Sequence, residues 1–390
     1  MMRRHSIHPF AYVFPAGIAC GTALVVLALL APSVARAQTP PCADSVRCEA
    51  TTTAYNGQSI LIRSYARNCG DGVATIVITL SGPSGVIGSH AITTLAGTFV
   101  EFDTVFVISC APGAQTVWTV SAVAQNASGT SQPVSSTCST TCAKPPDIGI
   151  FHCNDASGNN LNIGKSVTIG GVVTELSFTA TAVRMYVQDA TGGIGVFGAS
   201  PYCPANLGDD VTVWGTFLQD NGLAEVKGLD FAPLTIVVNS MGNPDPAPLS
   251  LTPAQVNATF QANHCEPNES RLVQVTCSYV RTSTGEVPAA GATFAANTSY
   301  QLVDVSDPAS NCTMFISKPS STSCPQVNPL IGTTIPTTSV LIAGVLSQSK
   351  TTAPFTSGYE IIPRLLTDLA PCQPVPTLEG TWGKLKSRYR

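Results

Sequence analysis

Charge is scarce in this chain. Asp, Glu, Lys and Arg together make up 11% of its 390 residues, less than half the usual share of about 25%. Histidine is scarcer still, with five residues, of which only His90, His152 and His264 lie beyond the first ten positions. No Gly-x-Ser-x-Gly elbow, no His-Glu-x-x-His and no Walker loop occurs. A nucleophile needs a base within hydrogen-bond reach, so three scattered histidines leave few ways to build one. There is also no Cys-x-x-Cys, and Cys138-Ser-Thr-Thr-Cys142 is the nearest approach to it. Neither a metal nor a cofactor is expected, and the chain reads as a non-enzyme.

Long apolar runs are missing as well, with one short exception. The chain opens Met1-Met2-Arg3-Arg4, passes through Ala23–Ala31 and reaches Ala35-Arg36-Ala37. A basic start, a short apolar core and a small-x-small end are the parts of a secretory signal peptide. The apolar run is shorter than the about 20 residues of a membrane span. Residues 1–37 are therefore expected to be removed, and no transmembrane segment is expected after that. The expected location is secreted, extracellular or cell-surface, with the periplasm crossed in transit.

What is abundant fits that location. Loss of Cys20 from the 14 cysteines leaves 13, and thiols in an exported chain read as disulfides. The candidates are Cys42, Cys48, Cys69, Cys110, Cys138, Cys142, Cys153, Cys203, Cys265, Cys312, Cys324 and Cys372. Their pairing is not fixed by sequence. Cys277, set in an apolar strand, is the expected odd one out. Loss of Arg3, Arg4 and Arg36 leaves 16 basic residues against 23 acidic ones. That balance argues against strong generic binding to a phosphate backbone, which requires cations. Thr, Ser, Val, Gly and Pro dominate, as in turn-rich β structure. Five Asn-x-Ser/Thr sequons (Asn126, Asn257, Asn268, Asn297, Asn311) matter only in a glycosylating host.

Beyond the leader the chain divides at two proline-ended seams. The first is Cys138-Ser-Thr-Thr-Cys-Ala-Lys-Pro-Pro146 and the second Asn243-Pro-Asp-Pro-Ala-Pro248. Before the first seam, β-branched runs at Ser59–Tyr65, Val73–Leu80, Val86–Thr93, Phe99–Ile108 and Thr116–Val123 alternate with Gly/Pro turns. That spacing predicts an immunoglobulin-like β-sandwich over residues 38–142. After it, each of two stretches, 147–235 and 249–370, gives a strand and two hairpins, the strand count of a five-stranded Greek-key barrel. A short helix is predicted at Thr252–Phe260, with Thr252 as N-cap and Pro253 in the first turn.

The barrel segments carry a resemblance. The runs Ser166-Val-Thr-Ile-Gly-Gly, Tyr186-Val-Gln-Asp-Ala-Thr-Gly-Gly-Ile-Gly-Val-Phe197 and Gly208-Asp-Asp-Val-Thr-Val-Trp-Gly-Thr216 are similar to OB-fold domains. They most resemble the tandem OB-like modules of secreted bacterial proteins found beside nucleases. The second stretch departs from the pattern, with Ser306-Asp-Pro-Ala-Ser310 in place of the Gly-Gly turn. The resemblance covers about residues 147–370 and implies an OB-like fold with ligand binding and no catalytic activity. With the sandwich before it, the expected chain is all-β, an immunoglobulin-like sandwich followed by two OB-like barrels.

Alternation along the second and fourth strands of the first barrel points Met185, Val187, Val211 and Val213 inward. Arg184, Tyr186, Gln188 and Trp214 then face outward and are the candidate ligand contacts, since OB barrels bind over that face and stack bases or sugars on aromatics. The competing reading packs those side chains against the sandwich or the second barrel. Under the binding reading, replacing Tyr186 and Trp214 by Ala weakens binding and leaves the fold intact. Asp189 and Asp304 read as turn formers, with Gly192-Gly193 supplying positive φ, and Asp209-Asp210 as a solvated turn. The expected function is a non-catalytic binding or structural protein. The alternative is single-stranded nucleic-acid or nucleotide binding through the first barrel, accessory to a nuclease. A glycan is the other candidate ligand. Residues 371–390, Pro-rich and then basic and aromatic around Trp382 and Tyr389, resemble short tails that end some secreted bacterial proteins, which implies a sorting or envelope-attachment role.

Overall fold

The computed structural model describes residues 39–372 apart from 179–181, 200–203, 229–233 and 319–327. Residues 1–38, on which the expected signal peptide falls, the residues beyond Cys372, and Cys203 and Cys324 thus lie outside the described residues. The described chain is almost wholly β, as its composition implies, and falls into one two-sheet unit and two barrels.

Nine strands build the first unit: β1 (Ala43–Ala50), β2 (Thr53–Ala54), β3 (Ser59–Asn68), β4 (Ala74–Gly82), β5 (Gly85–Thr94), β6 (Phe99–Val107), β7 (Gln115–Asn126), β8 (Gly129–Thr130) and β9 (Val134–Cys142). One sheet runs β1-β3-β6 and the other β2-β9-β7-β4-β5, with β8 beside β7. Every second residue of β3, β4 and β7 is buried, so Ile60 and Ile62 meet Ile76, Ile78, Trp118 and Val120 in one core between the sheets. The Trp118 indole N–H donates to the Thr140 hydroxyl at 3.1 Å, which leaves no polar orphan on that ring. Cys48–Cys138 staples β1 to β9 across the core, and Cys42–Cys69 and Cys110–Cys142 secure the ends. The 90-residue separation of Cys48 and Cys138 is worth on the order of 4 kcal/mol in the chain-entropy picture. The Cys138–Cys142 part of the first seam is not a linker. It is the end of β9, whose Ser and Thr side chains alternate between core and surface beside β7.

The first barrel comprises β10 (Ser166–Phe178), β11 (Ala182–Gln188), β12 (Gly193–Ala199), β13 (Asp210–Asp220) and β14 (Leu223–Lys227). They hydrogen-bond in the order β10-β11-β12-β14-β13, and β13 pairs back onto β10 to close the ring. The β12–β14 pairing is parallel and the others are antiparallel. Outside the ring, β15 (Thr235–Ser240) extends the sheet from β13, past the boundary at 235. Met185, Val187, Val211, Val213 and Phe217 fill the interior, as the alternation requires.

The second barrel repeats the plan. β16 (Leu249–Leu251) leads into α1 (Pro253–Asn257), then β17 (Leu272–Arg281), β18 (Thr298–Asp304), β19 (Asn311–Ile316), β20 (Val340–Gln348), β21 (Tyr359–Ile362) and β22 (Leu369–Pro371). The ring order is β17-β18-β19-β21-β20, closed by β17–β20, with β19–β21 parallel. α1 begins where expected: Thr252 Oγ1 accepts the Gln255 N–H and the Gln255 side chain returns the bond. It stops at Asn257, sooner than expected.

Two cysteine expectations are corrected. Cys277 is not the odd thiol, because it pairs with Cys372 and ties β17 to the end of β22. Cys312, expected in a disulfide, is free and buried inside the second barrel on β19. Cys153–Cys265 straps the start of the first barrel to the loop between α1 and β17 of the second.

The barrels pack directly on one another. Gly193 is the tightest point, since a Cβ there would lie 2.0 Å from the Ser270 carbonyl oxygen. Neither Gly192 nor Gly193 has positive φ. The pair is required by close approach, Gly192 to Gly149 and Gly193 to the second barrel, and not by the turn. Asp189 alone makes the turn, accepting from Thr191 N–H, Gly192 N–H and the Thr191 hydroxyl.

Candidate functional site

The face that alternation points outward from β11 does face outward, but the second barrel covers it. Tyr186 is fully buried, packed with Leu223, Val345 and Ile362. Its hydroxyl lies 2.8 Å from the Ser347 hydroxyl of β20. Gln188 is 2% exposed, and its carbonyl oxygen accepts the Leu272 N–H at 2.6 Å. Tyr186 is therefore a joint residue, and the expectation that it contacts ligand is corrected. Gln188 bonds across the joint through its side-chain oxygen and also lines the cleft described below. Strand alternation sets which way a side chain points, not what covers it.

Arg184 and Trp214 stay half-buried. Arg184 Nη2 lies 3.2 Å from Glu225 Oε1, and Lys227 Nζ lies 2.8 Å from Glu225 Oε2. Both cations approach the Phe197 ring, Lys227 Nζ to within 4.8 Å of its centre. Asp220 adds a second carboxylate at 3.5–3.7 Å. Burial pushes the Glu225 carboxyl up, and the two cations oppose that shift. Two cations and two carboxylates balance here, so the cluster offers no net charge to a phosphate. With Tyr186 enclosed, it offers no stacking run either. Sequence reasoning missed Glu225 and Lys227. The only signal was their i, i+2 spacing on a strand beside Phe197.

His152 and His264 flank the Cys153–Cys265 bridge, but the three histidine rings have different partners. His90 on β5 stacks on Phe102 at 5.3 Å, and His264 stacks on Phe260 at 5.9 Å. His152 is 1% exposed and faces the fully enclosed Glu269 across 3.4 Å. No substrate atom reaches that pair in this conformation. Among the described residues no group of three or more His, Cys, Asp or Glu side chains is placed to hold a metal ion. Asp209 is buried and accepts the Asn206 N–H, and one Asp210 oxygen accepts from the Asn239 amide, so the pair is not the solvated turn expected of it.

An open concavity lies elsewhere, where the sandwich meets the first barrel. It is a cleft of about 980 Å³, at the upper end of small-ligand sites. The sandwich gives Asn56 and the loop around Pro112, and the first barrel gives Gly170-Gly171, Asp210 and Asn239. Both seams join it, the first through Lys144-Pro145 and the second through Pro244-Asp245-Pro246. Gly170 lies flat because a Cβ would meet the Pro145 ring at 2.8 Å. A polar strip crosses the module boundary: Asn56 Nδ2 donates to Asn239 Oδ1 at 2.8 Å, and Asn239 Nδ2 donates to Asp210 Oδ2 at 3.0 Å.

Three carboxylates (Asp189, Asp210, Asp245) and one cation (Lys144) line the cleft, with no aromatic ring. Burial works against the charge on Asp189, but the N–H groups of Ile148, Thr191 and Gly192 and the Thr191 hydroxyl outweigh it. They hold its carboxyl below the usual range. Asp245 Oδ2 is occupied by Arg364 at 3.0 Å. The lining thus rejects phosphate, lacks a platform for bases or sugars, and suits a donor-rich or cationic group. Sequence reasoning found the two seams but had no way to show that they meet.

No protein-family model matches the chain, and no curated protein matches it. Among solved structures it is similar to a murine DNA-binding protein bound with double-stranded DNA, at 9% identity. The match covers 53% of this chain and all of that one, with a TM-score of 0.21. A likeness that small carries no argument about fold or function.

Proposed function

We propose that this is an exported, non-catalytic binding protein whose ligand lies in the cleft between the sandwich and the first barrel. The carrying observation is that two modules and both proline seams converge on that one cleft, while the second barrel closes the alternative face at Tyr186. The fused barrels then serve as the rigid support that a shaped site needs. Five described disulfides favour an oxidising compartment. Among the described residues no helix is long and apolar enough to cross a membrane. The ring order first-second-third-fifth-fourth in both barrels supports the OB-like reading, and the facing sheets support the immunoglobulin-like one.

The ligand class follows from the lining: an extended peptide or small organic molecule carrying a Lys, Arg or amine group. Binding of fluorescent Lys- and Arg-containing peptides, an oligo(dT) and neutral oligosaccharides to the chain tests this. Asp210→Asn removes a cleft charge and keeps an acceptor for Asn239. It is expected to weaken a basic peptide by about three- to tenfold, on the order of 1 kcal/mol for a half-exposed charge. Salt-sensitive oligo(dT) binding that Asp210→Asn leaves unchanged refutes the assignment. Envelope attachment through residues 377–390 is a separate proposal, and their deletion is expected to release cell-bound protein.

A further inference from the structure

The lining of the cleft suits an extended cationic guest, and the chain carries one of its own. Residues 384–390, Lys384-Leu-Lys-Ser-Arg-Tyr-Arg390, hold four of its 19 Lys and Arg. The four cations occupy every second position. An extended backbone therefore turns Lys384, Lys386, Arg388 and Arg390 to one side and Leu385, Ser387 and Tyr389 to the other. Glu379 is the only acidic side chain beyond Cys372. In the cleft, Asp210 engages Asn239 and Asp245 engages Arg364, each through Oδ2, so each carboxylate has a second oxygen for a guest. Lys144, the one cation of the lining, lies 3.0 Å from Asp147.

The segment is also tethered close to the cleft. Arg364 Nη2 lies 3.0 Å from Asp245 Oδ2 and Arg364 Nε 3.2 Å from Asp368 Oδ2. One guanidinium thus joins a cleft wall to the residue four positions before Cys372. Cys277–Cys372 pins the start of the tether to β17. Residues 373–383 can span up to about 40 Å between Cys372 and Lys384. A tether this short holds its segment at an effective concentration of about 1 mM.

We propose that residues 384–390 occupy the acidic cleft of their own chain as a tethered ligand that an incoming basic ligand must displace. The proposal rests on the assignment of the cleft as the binding site. While held there, the segment is withheld from other contacts, envelope attachment included.

Amide chemical shifts of the ligand-free chain test it first. Deletion of residues 377–390 is expected to move the Asn56, Lys144, Asp210 and Asn239 amides. So is the Lys384→Gln/Lys386→Gln/Arg388→Gln/Arg390→Gln variant, which keeps the length. A fluorescent peptide of residues 377–390 is then expected to bind the deleted chain and to lose about three- to tenfold with Asp210→Asn. The full chain is expected to bind that peptide about tenfold more weakly than the deleted one, the factor for a tether at about 1 mM and a segment that binds alone at about 0.1 mM. Unmoved cleft amides and equal affinity of the two chains overturn the proposal, and Asp210-dependent binding of other basic peptides then leaves the cleft assignment standing. A deleted chain that binds no basic peptide overturns both. Cleft shifts that fade on dilution place the segment of a second copy there and overturn the assignment to the same chain.

Discussion

Tyr186→Ala is the perturbation that separates a joint residue from a ligand contact. The ring is fully enclosed, touching Leu223 of its own barrel and Val345 and Ile362 of the other. Its hydroxyl lies 2.8 Å from that of Ser347. Truncating a buried aromatic of this size costs about 3–5 kcal/mol, from lost transfer energy and the cavity left behind. The hydroxyl pair accounts for only about 1 kcal/mol of that. Tyr186→Phe is therefore expected to cost about a quarter as much as Tyr186→Ala, and that ratio assigns the loss to packing. Urea unfolding followed by far-UV circular dichroism gives both numbers, and small-angle scattering reports whether the barrels part. A Tyr186→Ala cost below about 0.5 kcal/mol, with unchanged scattering, places the ring in solvent and refutes the closed joint.

Three other outcomes follow from named contacts. Gly193→Ala puts a methyl 2.0 Å from the Ser270 carbonyl, and the backbone shift this forces is expected to cost at least about 1–3 kcal/mol in the same urea assay. An unshifted midpoint would show the barrels farther apart. Burial pushes the Cys312 thiol up to about 12, so iodoacetamide at pH 8 is expected to spare it in the folded chain and modify it after unfolding. Peptide mapping checks this, and rapid native labelling counts against it. Burial also pushes the carboxyls of Glu175 to about 8 and Glu360 to about 7, alongside Glu266. Each favours the folded state while protonated. That stability is complete below about pH 4.5 and is lost as pH rises to about 7–8, at roughly 1.4 kcal/mol per unit of raised pKa per group before solvent screening. Thermal unfolding is expected to show higher stability at pH 5 than at pH 8.5, and the reverse order contradicts the burial of these groups.

Much of the architecture was legible from periodicity. The alternating runs at Ser59–Tyr65 and Phe99–Ile108 coincide with β3 and β6, because one face of each is buried and period-two patterning is the record of that burial. β9 escaped notice because Val134-Ser-Ser-Thr-Cys-Ser-Thr-Thr-Cys142 has too few large apolar residues to look like a strand. Thr140 and Cys142 nonetheless fill its inward positions. Disulfide pairing is a property of three-dimensional proximity, so Cys277 and Cys312 were assigned the wrong way round. For the candidate site, the orientation of Arg184, Tyr186, Gln188 and Trp214 was readable, and so were the two seams. The covering of Tyr186 and the meeting of Asn56 with Asn239, 183 positions apart, depend on how modules dock. No local pattern encodes that docking.

The central claim is that the open site is the cleft and not the β11 face. Amide chemical-shift mapping with a bound Lys- or Arg-containing peptide tests it most directly. The account predicts shifts concentrated at Asn56, Lys144, Asp210 and Asn239. Shifts centred on Arg184, Phe197 and Trp214, with the cleft residues unmoved, would contradict it.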